Sequence, residues 1–140
     1  MKKDTTKMLE ELQNCSEFND FYKENAKYTI DTTLSEYLNE LIKEKDITKA
    51  QIIKNAEMSE VYAYQIFAGM RIPDRKKLLC LVFGMGLNLD ETQKLLKCTG
   101  YSPLYAKLEF DCVVIYGICK RMSIVEVNEL LYDYGMETLG

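Results

Sequence analysis

Apolar residues recur along this chain at three- and four-residue intervals, and most of these runs follow the same punctuation. Ser, Thr or Asn comes first, with Glu or Gln three residues later. That spacing is a capping box, in which two side chains bond backbone N–H groups that a helix's first turn leaves unpaired. Thr33 with Glu36 predicts a helix with Leu34, Leu38, Leu41 and Ile42 on one face, ending near Lys45–Asp46. Thr48 with Gln51 predicts a shorter one with Ile52, Ile53 and Ala56 inward, then a turn at Glu57–Met58. Ser59 opens a third helix that presents Ala63, Ile66 and Phe67 to a core and stops at Gly69. Pro73 forbids continuation, and Asp74 caps a fourth through Leu78, Leu79, Leu81, Val82 and Phe83, ending in the Gly84–Gly86 region.

Downstream, Asn88 with Glu91 predicts a fifth helix carrying Leu95 and Leu96 and closed by Gly100. Ser102–Pro103 supplies an N-cap and a first-turn proline for a sixth, running to about Arg121. Ser123 with Glu126 begins a seventh with Val127, Leu130 and Leu131, ending at Gly135. The β-branched run "VVIY" at 113–116 is where a strand competes, but no partner strand is visible, so the reading is helix. One further helix is expected around 5–14, while "EFNDFYKENAKY" after it shows no clear period. The fold class is therefore all-α.

Composition narrows the functional classes. At 140 residues the chain is the size of one domain, and 47% apolar with only two prolines fits a globular helical protein. The apolar runs at 78–87 and 113–119 fall short of the ~20 residues that cross a bilayer, so no membrane association is expected. The start "MKKDTTKMLEEL" has no apolar stretch of the signal-peptide kind, which points to the cytoplasm. There is no histidine, no Gly-rich phosphate loop, and no GxSxG, HExxH or Walker pattern. The expectation is a protein that is not an enzyme and needs no metal or cofactor. Cysteines 15, 80, 98, 112 and 119 form no CxxC pair and are expected to be reduced core thiols; Cys112 and Cys119, seven apart on one helical face, suit packing.

The net charge of −4 is unevenly spread. Residues 34–77 carry 8 basic and 7 acidic side chains, the only positive balance along the chain, and Arg71, Arg75, Lys76 and Lys77 cluster there. Cations at the start of the helix capped by Asp74 oppose its macrodipole, so they call for a compensating anion. Phosphate is one such anion.

The segment 34–96 resembles the lambda-repressor-like helix-turn-helix family, also called the XRE or Cro/C1 type. The resemblance rests on "DITKAQII", "MSEVYAYQI" and "GMRIP" followed by an apolar helix, in that order and spacing. It implies a five-helix domain over 34–99, with an N-terminal helical extension at 1–33. Residues 100–140 would extend the core with two helices and contribute to a homodimer. It further implies a sequence-specific transcriptional regulator that binds double-stranded DNA, with the helix at 59–68 in the major groove. Thr48 and Lys49 fall on the family's phosphate-binding positions, and Ser59, Glu60, Val61 and Gln65 on its base-reading positions, flanked by Tyr62 and Tyr64. Arg71 and Arg75 would hold backbone phosphates. Independently of resemblance, the Gln65 carboxamide both donates and accepts, as adenine's N6 and N7 edge requires.

Three departures from the family pattern involve four positions. Ile53 stands where alanine is usual and Ala63 where a branched aliphatic is usual, which reads as a size exchange that conserves core volume. Glu57 replaces the turn glycine, where a left-handed backbone costs on the order of 1 kcal/mol. Glu60 brings a carboxylate toward phosphates. The competing reading is a protein-interaction module that keeps the fold and binds a protein partner through a Tyr62/Tyr64 surface. Surface charge separates the two: a positive face containing Lys49, Arg71 and Arg75 favours DNA, whereas a negative or apolar face favours a protein.

Overall fold

The computed structural model describes residues 3–28 and 30–140, with side chains described outside positions 30–32. Among the described residues the chain is all-helical, without strands: α1 (Thr5–Asn14), α2 (Phe18–Asn25), a 3-10 turn (Ala26–Tyr28), α3 (Ile30–Lys45), α4 (Lys49–Ala56), α5 (Glu60–Phe67), α6 (Arg75–Met85), α7 (Leu89–Cys98), α8 (Glu109–Cys119) and α9 (Ile124–Asp133). The capping boxes of Thr48/Gln51, Asn88/Glu91 and Ser123/Glu126 are all formed, each with both reciprocal bonds. "VVIY" lies within α8. No described helix is long and apolar enough to cross a membrane.

One buried cluster runs through α3 to α9, with Leu34, Leu38, Ile52, Ile66, Leu78, Leu81, Leu95, Leu96, Val114 and Leu131 all sealed from solvent. Helix α4 lies along α6, and Gly84 sets their approach. A Cβ there would stand 2.7 Å from the Ala56 Cβ and 2.7 Å from the Ile52 carbonyl oxygen, closer than real Cβ contacts come. Of the two exchanged positions, Ala63 is fully buried and Ile53 packs half-buried against the core. By contrast α1 buries no side chain, and the buried residue of α2 is Asn25, which accepts from the Lys3 ammonium and donates to the Phe21 carbonyl.

Three sequence expectations need correction. Helix α3 begins at Ile30, so Thr33 sits inside it rather than capping it. Helix α8 begins at Glu109, not at Pro103. The reason is competition for backbone groups, because side chains satisfy the 102–105 segment in a non-helical shape. The Gln93 carboxamide donates to the Leu104 carbonyl at 2.9 Å and accepts from the Leu104 N–H at 2.7 Å. Arg75 donates to the Ser102 and Pro103 carbonyls, and the Tyr105 N–H donates to Asp111 at 3.0 Å. Leu104, pinned this way, is buried. Finally, Cys112 and Cys119 are exposed and only Cys80 is fully buried. The inward residues of α8 are instead Asp111, Val114, Gly117 and Ile118.

The C-terminal extension is clasped to the base of α6 by charge. Both terminal nitrogens of the Arg75 guanidinium donate to buried Asp111, Nη1 to Oδ1 and Nη2 to Oδ2, each at 3.0 Å. Lys76 pairs with Glu137 and lies 5.7 Å from the Phe110 ring centroid. At the far end, Asn128 accepts from the Leu139 N–H and donates to its carbonyl, holding Leu139 in the core.

Arg75→Ala should cost about 3–5 kcal/mol in urea unfolding, because it leaves a buried carboxylate unpaired. Arg75→Lys should recover only part, since an ammonium cannot bridge both oxygens. Thiol labelling offers a second check on burial. Cys112 and Cys119 should react rapidly in the native protein, whereas Cys80, whose thiol burial pushes up to about 11, should react only on unfolding.

Candidate interaction face on helix α5

The sequence marks α4 and α5 as the pair that would meet a ligand, and the structure joins them by a tight turn. Glu57 closes α4 in the left-handed conformation, φ 52 and ψ 44, its N–H bonded to the Ile53 and Lys54 carbonyls. At the start of α4, the Thr48 hydroxyl accepts from the Gln51 N–H at 3.1 Å and is part of the cap. Ser59 likewise caps α5 through a long 3.5 Å bond from the Tyr62 N–H. Glu60 occupies the first turn of α5, where a carboxylate complements the macrodipole. That gives Glu60 a local structural reason independent of any ligand.

Helix α5 buries Ala63, Ile66 and Phe67. Successive residues are turned about 100° apart, so Val61, Tyr64, Gln65 and Ala68 fall on the opposite side. Val61 is 69% exposed and Tyr64 43%. The loop leaving α5 adds Met70 at 77% and Ile72 at 40%, apolar side chains that the sequence reading passed over. Their signal was present in "GMRIP", two apolar residues in a segment too short and too bounded by Gly and Pro to bury them.

The tyrosines do not share a surface. Tyr62 is half-buried on the flank, with the Arg71 guanidinium 5.1 Å from its ring centroid. Burial, and secondarily the charge of Asp74, raises its hydroxyl above the usual tyrosine range. Tyr64 meets Phe67 edge-on at 6.4 Å, and the Lys49 ammonium lies 5.6 Å from the same Phe67 ring. Gln65 is half-exposed, and its carboxamide has no hydrogen-bond partner among the described residues.

The expected basic cluster is divided by the fold. Arg75, read as a phosphate anchor, gives its guanidinium to Asp111 and to two backbone carbonyls, and Lys76 pairs with Glu137. The anions that explain these cations are thus the protein's own. Of the predicted site residues, Lys49 and Arg71 remain as exposed or half-exposed cations beside the face, and Glu60 offsets one of them.

No grouping of His, Cys, Asp or Glu among the described residues is arranged to hold a metal ion. A concavity of about 600 Å³ lies between α6, the end of α8 and the start of α9, floored by Val82, Phe83 and Ile118. Its Asn88, Ser123 and Glu126 side chains are already bonded in helix caps, so they do not converge on a ligand. No family model, curated protein or solved structure matches this chain.

Glu57→Gly should raise stability by up to about 1 kcal/mol, since glycine removes the left-handed penalty without touching a packed side chain. A shift of the urea midpoint to higher concentration at unchanged m-value is the expected readout.

Proposed function

We propose that this protein is an interaction module whose α5 face docks another protein. The supporting observation is the exposure of Val61, Tyr64, Met70 and Ile72 around the α5 face. The chemistry suits an amphipathic segment of a partner, its apolar residues against Val61, Tyr64 and Met70 and a carboxylate toward Arg71 or Lys49. DNA places a different demand on the same face. Tight binding to a duplex draws on roughly 6–10 phosphate contacts, and here Arg75 is held by buried Asp111 while Lys76 pairs with the exposed Glu137.

DNA recognition remains the second reading, favoured by Gln65, whose unpartnered carboxamide sits midway along the open side of α5. On that reading the resemblance to lambda-repressor-like domains carries through to function, with Thr48 and Lys49 at a phosphate and Ser59, Glu60, Val61 and Gln65 over base edges.

The two readings part in one experiment run on the full chain. Peptides selected from a displayed library should bind with little dependence on salt between 50 and 300 mM, roughly threefold or less, as expected when few charges are neutralised. Val61→Asp should weaken them more than tenfold while leaving the melting temperature unchanged. Selection from random duplex DNA should enrich no sequence. Enrichment of one motif, with affinity falling steeply in salt and Gln65→Ala costing roughly 1–3 kcal/mol at a single base pair, would overturn the docking assignment in favour of the regulator.

A further inference from the structure

Helix α8 has a second open face, whatever α5 binds. Its inner side buries Asp111, Val114, Gly117 and Ile118. A Cβ on Gly117 would stand 2.8 Å from a Val127 methyl, so α9 is seated tightly against that side. The opposite side is formed by Leu108 at 55% exposure, Cys112, Tyr116 at 49% and Cys119, with half-buried Ile115 among them. Leu108, Cys112, Tyr116 and Cys119 follow one another at spacings of four, four and three residues, which puts them on one stripe. A solvated helix face is normally charged along its length. Here the charges beside the stripe sit only at its ends, Glu109 at the start and Lys120 at the finish, with Lys120 5.8 Å from the Tyr116 ring centroid.

We propose that this face of α8 packs antiparallel against the same face of a second copy of the chain. The charge pattern selects that partner. Reversing α8 end over end about a point between Ile115 and Tyr116 sets Cys112 opposite Cys119 of the other copy. It also sets Glu109 against the Lys120 end, and it does so twice by symmetry. A parallel pairing would instead oppose Glu109 to Glu109 and align the two macrodipoles. An 11-residue helix is about 16 Å long, so the contact is smaller than the ~1,600 Å² of a standard interface and the association is micromolar.

Sedimentation of the full chain from roughly 10 to 500 µM should show a concentration-dependent monomer–dimer equilibrium, the range following from that modest area. Glu109→Lys and Lys120→Glu should each weaken dimerisation about tenfold, and the double reversal should restore it. Both changes oppose the helix macrodipole, so any loss of helix stability adds in the double variant and rescue reports pairing rather than folding. The register is tested in a Cys15→Ser, Cys98→Ser background under air with copper phenanthroline. Cys112→Ser alone and Cys119→Ser alone should stay uncrosslinked, whereas their mixture should form a disulfide dimer. A monomer throughout the concentration range, a double reversal that fails to rescue, or a mixture that crosslinks no better than its components would each overturn the pairing.

Discussion

The Arg75–Asp111 ion pair is the contact on which the arrangement of this protein turns. It lies at the N-terminus of α6, where a cation is unfavourable by itself, and it draws a carboxylate from 36 residues away into the core. Two parallel guanidinium bonds offset the desolvation of Asp111, and the remaining donors of Arg75 hold the Ser102 and Pro103 carbonyls. The chain from 101 to 108 therefore stays irregular, α8 starts late, and α9 folds back so that Leu139 reaches the core. Arg75 thus joins the shared core and the Lys76–Glu137 pair in linking the central helices to the C-terminal pair.

The same pair sets the character of the α5 face. A guanidinium held by a buried carboxylate is not available to a phosphate, and with Lys76 paired to Glu137 two of the four cations in the basic cluster, Arg75 and Lys76, are engaged within the fold. Around α5 lie the exposed apolar residues Val61, Tyr64, Met70 and Ile72, with Lys49, Glu60 and Arg71 beside them. The open stripe of α8 follows a similar logic, because cysteines expected to fill space inside point outward. The inner positions at that spacing belong to Val114 and Ile118.

The N-terminal helices are attached differently. Helix α1 buries no side chain, and Lys3 ties it to the end of α2 by bridging Glu11 and Asn25. Polar ties of this kind contribute little compared with burial, so this segment is the part of the described chain least supported by packing.

The sequence by itself determined the helices other than α2 and most of their ends, since periodicity and capping are local properties carried within a few residues. Thr48, Ser59, Asp74, Asn88 and Ser123 each cap the helix expected of them, and Glu57 adopts the left-handed turn. It did not determine which face of α8 was sealed or which charges were free. Ser102–Pro103 carries a sound local signal for a helix, overridden by Gln93, Arg75 and Asp111, none of them within its own turn. Tyr62 and Tyr64 look equivalent in sequence and diverge because they are two residues apart on a helix, which turns one toward Arg71 and the loop while the other faces solvent. Long-range electrostatic pairing and the choice of buried face depend on contacts between distant segments, and only the tertiary structure brings those segments together.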